Sequence, residues 1–250
     1  FCTVPGGMTG MEKFTWVTYG GGQKLWDELY LKFGVKALLC SNTGVQMGGW
    51  FRSEINTIND FKGLKMRIPG IGAEIINRLG GTAVNMPAGE IMPALQQGVI
   101  DAAEWVGPWV DKVSGFHKIA KYYYGPGIHE PGTANELIMN NNAWLELPDT
   151  VKAVVKNVCN ATYLESLSEY LHFNSRALFE LQNKYNVIVN NFSPDITREM
   201  LKISREIVED LSKLGSIHKR IYDSWLSSLN QFNNYQTFSD YGYINERIKS

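Results

Sequence analysis

The chain has 250 residues, of which 44% are hydrophobic and 20% are charged, a composition typical of a globular protein. Its 24 lysines and arginines balance 25 aspartates and glutamates, which argues against a nucleic-acid-binding protein, because such proteins carry a basic surface. No run of residues approaches the ~18 apolar positions that a membrane-spanning helix needs.

The first forty residues are rich in glycine and aromatic residues. The segment Y-G-G-G-Q-K-L-W-D-E-L-Y-L-K-F-G predicts a turn and then a helix over residues 23–33, ended by Gly34. The following V-K-A-L-L-C predicts a short strand. Cys2, Cys40 and Cys159 form neither a zinc motif nor a disulfide framework. One pair could form a bridge, and the alternative is three ordinary buried thiols.

Strand and helix patterns alternate through the middle of the chain. Strands are predicted for G-L-K-M-R-I-P-G, T-A-V-N-M-P and V-I-D-A-A-E-W. Between them, G-A-E-I-I-N-R-L-G-G and G-E-I-M-P-A-L-Q-Q-G predict short helices that end at glycine. This order indicates a βαβαβ unit with a parallel sheet.

The last hundred residues are predicted to be mostly helical. Residues 149–184 contain no glycine or proline, and their apolar residues recur near the helical period. Such a helix would extend roughly 50 Å at ~1.5 Å per residue, long enough to span two lobes. V-I-V-N-N predicts a strand, and a second helix would begin at Ser193-Pro194 and end at Gly215. A final amphipathic stretch follows.

The stretch D-A-A-E-W-V-G-P places a carboxylate, Glu104, at the end of a buried strand. No lysine, arginine or histidine lies within four residues of it, and a buried carboxylate is costly without a partner. Ligands bind beyond the carboxyl ends of parallel strands, where Arg67 also lies. The guanidinium of Arg67 suits a ligand carboxylate. The alternative is an ion pair between Arg67 and a carboxylate of the protein.

A ligand carboxylate on Arg67 would be repelled by Glu104 unless a cation lay between them. A hard cation would accept oxygens from Glu104, from the amide of Gln46 and from backbone carbonyls. These residues are thus compatible with a cation-bridged carboxylate site, in which the cation, and not the protein, would neutralise Glu104.

Covalent catalysis finds little support in the sequence. There is no G-x-S-x-G motif, and the four histidines form no H-E-x-x-H motif. His129 and Glu130 are adjacent, which would place their side chains on opposite faces of a strand.

Four segments resemble the solute-binding subunits of tripartite ATP-independent periplasmic (TRAP) transporters, the DctP family, and especially the branch that binds 2-oxo and 2-hydroxy monocarboxylates such as pyruvate and lactate. They are N-T-G-V-Q-M-G-G-W-F-R-S-E-I, D-F-K-G-L-K-M-R-I-P-G, M-P-A-G-E-I-M-P-A-L-Q-Q-G-V-I-D-A-A-E-W-V-G-P and Y-Y-Y-G-P-G-I-H-E-P-G. The resemblance implies an α/β, two-lobed periplasmic binding protein of type II that closes on its ligand. It would have mixed sheets, a long lobe-spanning helix and a helical C-terminus.

The resemblance also implies roles for single residues. Arg67 would grip the ligand carboxylate. Gln46, Glu104 and the backbone carbonyl of Trp105 would coordinate Na⁺ or Ca²⁺, and Glu130 would add a further carboxylate. The ligand would chelate this cation through its carboxylate and its 2-oxo or 2-hydroxy oxygen, without an organic cofactor. The residues expected to wall the pocket are Trp50, Phe51 and Trp105. For each aromatic ring the alternative is core packing.

The resemblance implies a division of the chain and a cellular setting. The segments are 1–42 (remainder of lobe one), 43–104 (lobe two, βαβαβ), 105–148 (return to lobe one), 149–185 (connecting helix) and 186–250 (C-terminal strand and helices). The protein would be periplasmic or extracytoplasmic, would deliver its ligand to membrane permease subunits and could pair into a homodimer. Family members begin with a secretion signal and a sizeable α/β segment, so a chain that opens at Phe1 is expected to be a fragment or a processed form.

Two other functions stay open from the residues alone. A metal-dependent enzyme could use Glu104 as a general base, although no second titratable group stands out beside it. A ligand sensor would be favoured by a fused signalling domain or a transmembrane helix, and the sequence shows neither.

Overall fold

The computed structural model describes residues 1–250, which form helices and strands in a mixed α/β arrangement. The helices are α1 (Gly10–Tyr19), α2 (Gly22–Leu31), α3 (Gly72–Arg78), α4 (Ala88–Gln97), α5 (Pro108–Ser114), α6 (Asn141–Glu146), α7 (Asp149–Asn183), α8 (Pro194–Ser212), α9 (Ser216–Gln236) and α10 (Asp240–Lys249). The strands are β1 (Val35–Asn42), β2 (Gly49–Phe51), β3 (Lys65–Arg67), β4 (Thr82–Val84), β5 (Ala102–Ala103), β6 (Tyr122–Gly125), β7 (Ala134–Asn140) and β8 (Ile188–Asn191). Short 3₁₀ turns cover Ile58–Phe61 and Phe116–Lys118.

A six-stranded sheet in the order β4-β3-β5-β2-β6-β8 holds the middle of the chain. Strand β3 pairs in parallel with both β4 and β5, and helices α3 and α4 connect them, which confirms the predicted βαβαβ unit. Strand β2 runs antiparallel to β5 and β6, so the sheet is mixed.

The predicted division of the chain at residue 105 is wrong for β6. This strand lies inside the six-stranded sheet, between β2 and β8, instead of returning to the first lobe. The return occurs at β7, which pairs with β1 in a separate two-stranded sheet. Strand β8 also joins the six-stranded sheet. The pairing of β6 depends on β2, whose three residues carry no strand pattern of their own.

Neighbouring residues of the six-stranded sheet face two different cores, as the pleat of a strand requires. Phe51, Met66 and Tyr124 pack in a cluster that includes residues of α3 and α8. Trp50 and Tyr123 pack on the opposite face, in a cluster that includes residues of α4. The sheet is therefore buried on both faces, which leaves its strand ends as the accessible edge.

Helix α7 links the two sheets, as its predicted length indicated. Tyr163 packs in the core that includes Ala37 and Leu39 of β1. Further along the same helix, Leu181 packs in a core of the six-stranded sheet. An ion pair of 2.8 Å between Lys112 Nζ and Glu180 Oε2 adds a contact with α5.

Several other elements differ from the sequence-based expectation. Helix α1 was not predicted; Glu12 accepts a hydrogen bond of 2.8 Å from the backbone N–H of Thr9 at its start. Helix α2 begins one residue before the predicted start and ends two residues before the predicted end. Helix α8 begins as predicted, with Ser193 Oγ accepting from the N–H of Ile196. The amphipathic stretch after it forms two helices, α9 and α10.

None of the helices combines the length and the hydropathy that crossing a bilayer demands.

Candidate functional site

The site forms where the parallel strands β3 and β5 end side by side. Arg67, the last residue of β3, is in register with Ala103 of β5. The N–H of Glu104 donates to the carbonyl of Arg67 at 3.0 Å. The prediction that Arg67 and Glu104 lie together at the carboxyl ends of neighbouring strands is therefore confirmed.

Arg67 and Glu104 form a buried ion pair. Nη1 of Arg67 donates to Glu104 Oε2 at 3.2 Å and to the Glu104 carbonyl at 2.9 Å. Their side chains are only 11% and 2% exposed, so the carboxylate depends on this partner. The guanidinium also lies 5.3 Å from the ring centroid of Trp105, within cation–π range. The expectation that the protein leaves Glu104 unneutralised is wrong, because its partner lies 37 positions away in sequence.

A turn after β6 brings a histidine and a second carboxylate to the same place. His129 Nε2 lies 3.7 Å from Glu104 Oε1. One ligand atom from each of Glu104, His129 and Glu130 lies within 4.8 Å of the others. Because His129 and Glu130 lie at a turn and not in a strand, the prediction that they point to opposite faces is wrong. His129 is the ligand-type residue that sequence reasoning missed, although the flanking G-I-H-E-P-G pattern indicates a turn.

The charge of Glu104 disfavours the charged form of Glu130. Burial raises the pKa of Glu130, and the nearby charge of Glu104 raises it further. The charge of His129 and a 2.6 Å hydrogen bond donated by Thr133 Oγ1 act in the opposite direction. A cation placed between the carboxylates would remove this repulsion.

Gln46 lies between the two loops that carry these acids. Its N–H donates to the carbonyl of Glu130 at 3.2 Å, and the N–H of Met47 donates to the carbonyl of Val106 at 3.2 Å. The buried Oε1 of Gln46 has no hydrogen-bond partner. The carbonyl of Trp105 accepts no backbone hydrogen bond. Unpartnered amide and carbonyl oxygens beside two carboxylates are the ligands that Na⁺ or Ca²⁺ prefers, so the residues present fit the expected cation.

The aromatic residues expected to wall a pocket are placed differently from one another. Trp50 is fully buried; its indole N–H donates to Asp111 Oδ2 at 2.8 Å and its ring stacks on Tyr123. Phe51 packs in the opposite core and borders a cavity of about 20 Å³, room for about one water molecule. The structure therefore supports the alternative, core packing, for both. The ring of Trp105 is only partly buried and faces Arg67.

A second buried carboxylate, Asp111 of α5, fixes the loop that follows Trp105. Its Oδ1 accepts from the N–H groups of Val106 and Gly107 at 3.0 and 2.9 Å. Its Oδ2 accepts from Tyr123 Oη at 2.7 Å and from the indole of Trp50. Burial raises the pKa of Asp111 to about 6, although each of these four hydrogen bonds acts to lower it. Sequence reasoning missed it; the available signal was an acid in the first turn of a helix after Gly-Pro.

Lys13 of α1 is a further buried charge that the sequence did not single out. Its Nζ donates to the carbonyls of Cys2 and Gly132. Burial lowers the pKa of this lysine to about 8. Lys13 thus ties the N-terminal segment to the chain just after Glu130.

Comparison with known proteins identifies the class of protein that this fold and site define. A family model described as bacterial extracellular solute-binding protein, family 7 (DctP), matches residues 1–214. The chain belongs to this family. It is 37% identical over 243 residues to the monocarboxylate 2-oxoacid-binding periplasmic protein of Nostoc sp., which covers 97% of this chain and 66% of that protein. The chain thus spans slightly under two thirds of the length of this relative.

Two solved structures extend the comparison to the fold. A TRAP periplasmic solute-binding protein from Pseudoalteromonas atlantica, with bound sodium and pyruvate, superposes with a TM-score of 0.90 at 36% identity, covering 98% of this chain and 74% of that one. A TRAP solute-binding protein from Bordetella bronchiseptica, a mixed-occupancy dimer with calcium and picolinate, gives 0.93 at 33%, covering 99% and 74%. The predicted family and two-lobed fold are confirmed.

Proposed function

We propose that this protein captures a small 2-oxo or 2-hydroxy carboxylate together with Na⁺ or Ca²⁺ outside the cytoplasm and delivers it to the membrane permease subunits of a TRAP-type transporter. The observation that carries the proposal is the convergence of Arg67 with Glu104, His129 and Glu130 at one sheet edge. Family membership and the pyruvate, sodium and calcium of the relatives support the ligand class.

Arg67 has one free edge for a ligand carboxylate. All its hydrogen bonds come from Nη1, and its buried Nε has no partner. The Nε–Nη2 edge therefore has two parallel donors, the geometry that binds a carboxylate through both oxygens. Glu104 and the ring of Trp105 hold the guanidinium in place while this edge stays available.

A cation would be held by oxygen atoms from three parts of the chain. The proposed ligands are the carboxylates of Glu104 and Glu130, Oε1 of Gln46 and the carbonyl of Trp105. The cation would supply positive charge that compensates both the two glutamates and a ligand carboxylate. A 2-oxo or 2-hydroxy oxygen beside the ligand carboxylate would complete a chelate, which favours such acids over simple carboxylates.

We propose capture without chemical conversion, in keeping with a family of solute-binding proteins. Glu104, the general base considered from the sequence, is paired with Arg67. Mass spectrometry of pyruvate or lactate after incubation with the protein should show unchanged ligand. A new product that depends on Glu104 would establish an enzyme instead. We further propose a homodimer, the state seen in the Bordetella relative.

Titration calorimetry with pyruvate tests the proposal directly. Binding should be saturable with Na⁺ or Ca²⁺ and should weaken strongly after chelation and dialysis, returning when the cation is restored. Arg67→Ala should weaken binding about 100-fold or more, because it removes two charge-assisted hydrogen bonds. Arg67→Lys keeps the charge but not the two parallel donors and should bind at an intermediate level.

The matched control is Arg78→Ala, which removes an arginine from the surface of α3. It should leave binding unchanged. Wild-type affinity in Arg67→Ala would refute the clamp, and indifference to the cation would refute the bridge. Circular dichroism on each variant separates loss of binding from loss of fold.

A further inference from the structure

Two of the three cysteines meet where α7 packs on β1. Cys159 of α7 is buried in a small cluster with Leu38 and Trp144. Cys40 of β1 packs against the same cluster, on the face of the strand that it shares with Leu38. Cys2 belongs to a different core, around Trp16. The fold thus selects one pair out of three cysteines that the sequence left equivalent.

The backbone of β1 is irregular at this cysteine. Leu39 is paired with Glu136 and Ser41 with Asn135, whereas Cys40 has no partner in β7. One unpaired residue of this kind is a β-bulge, which bends the strand and re-aims the side chains beside it. Cys40 therefore has no residue opposite it in β7 at the point where it packs near α7.

The surroundings of the two thiols are unequal. Cys159 is buried, and burial together with the neighbouring Cys40 thiol raises its pKa. Cys40 is partly exposed. A cavity of about 230 Å³ borders Cys159 and is lined also by Leu38, Leu39 and Lys156. A small oxidant can therefore approach the pair either at the partly exposed Cys40 or through the cavity beside Cys159.

We propose that Cys40 and Cys159 form a disulfide that fastens α7 to β1 in the extracytoplasmic protein. The Cys40 thiolate attacks a low-molecular-weight disulfide, forms a mixed disulfide and releases one thiolate. The Cys159 thiolate then attacks the sulfur of Cys40, closes the protein disulfide and releases the second thiolate. The two protein thiols lose two electrons and two protons, and the oxidant is reduced to two thiols.

The bond would act on the helix that joins the two sheets. The chain between the two cysteines includes Gln46, Arg67, Glu104 and Glu130, so closing this long loop would restrict the unfolded chain that contains the whole site. The occurrence of the bond in the cell rests on the extracytoplasmic location proposed above. The test in solution does not depend on that location, so the disulfide proposal and the proposed function can fail separately.

Oxidised glutathione is the probe. The purified chain, first reduced and freed of reductant, is incubated with it and analysed by intact mass and by non-reducing peptide mapping. We expect the loss of two hydrogen masses and a peptide in which Cys40 is joined to Cys159. The oxidised form should melt ~5–15 °C above the reduced form, and reductant should abolish the difference.

Matched variants separate the bond from general packing effects. Cys2→Ser should retain the mass change and the thermal shift, whereas Cys40→Ser and Cys159→Ser should lose both while their reduced forms melt near the reduced wild type. Pyruvate binding by Cys40→Ser reports separately on the function proposed above. Three free thiols after oxidation, a stable glutathione adduct on Cys40 or a bridge to Cys2 would each overturn the proposal.

Discussion

Glu104 and Asp111 are buried carboxylates seven positions apart that the fold accommodates in opposite ways. Glu104 is paired with a full charge, Arg67, and its Oε1 faces His129. Asp111 accepts four hydrogen bonds from neutral donors. Both carboxylate oxygens of Asp111 therefore have hydrogen-bond donors. Glu104 instead lies among groups that still lack partners, including Arg67 Nε and Gln46 Oε1.

The difference indicates which carboxylate supports structure and which supports binding. Four fixed donors leave Asp111 no capacity for a ligand, but they hold the loop of Val106 and Gly107 beside the proposed cation ligand at Trp105. A charged pair with unused donors and acceptors can instead be completed by a cation and an anion together. Three variants test this comparison.

The largest effect is expected for Glu104→Gln in the absence of cation. Arg67 would lose its counter-charge inside the protein, and we expect the free energy of unfolding to fall by about 3–5 kcal/mol. Urea unfolding in chelated buffer measures it. The double variant Arg67→Met/Glu104→Gln should recover most of the loss, since it removes both charges. A single variant as stable as wild type would show that water already screens the pair.

Asp111→Asn should give a smaller, pH-dependent effect. The folded pKa of Asp111 is about 6 and the unfolded value 3.8, so the native state binds more protons between these values. The stability contributed by the wild-type carboxyl is therefore fully present below about pH 4 and falls as pH rises to about 6. The advantage of wild type over Asp111→Asn should shrink by about 2–2.5 kcal/mol from pH 4 to pH 7.

Denaturant unfolding at each pH measures this change, with Cys2→Ser as a variant whose stability difference from wild type should stay constant over the range. A wild-type advantage that is independent of pH would show that the Asp111 carboxylate stays ionised in the folded protein.

The smallest effect is expected for Trp50→Phe. It removes one of four donors to Asp111 and should cost about 1–2 kcal/mol of stability. Because Trp50 is a core residue, pyruvate affinity should change less than about threefold. Trp105→Ala, which removes the ring facing Arg67, should weaken binding more. A large affinity loss in Trp50→Phe alone would show that Trp50 lines the ligand pocket, as the sequence predicted.

The sequence predicted the elements whose signals are local. The βαβαβ unit and α7 follow from hydrophobic period, from glycine and proline at element ends and from the long stretch without either residue. These features depend on neighbours a few positions away. The arrival of Arg67 and Glu104 at one sheet edge followed as well, because parallel strands of one unit end on the same side.

Contacts between distant segments were decided only by the tertiary structure. The ion pair of Glu104 with Arg67, the approach of His129 and Glu130 to Glu104, the burial of Trp50 and the packing of Cys40 near Cys159 all depend on contacts between segments that are distant in sequence. Strand β6 joined the six-stranded sheet because β2 and β8 supplied its hydrogen bonds. The sequence by itself thus determined the local elements and the edge at which the site lies. Packing determined which charges meet there, because the free energy of a buried charge depends on its neighbours in space.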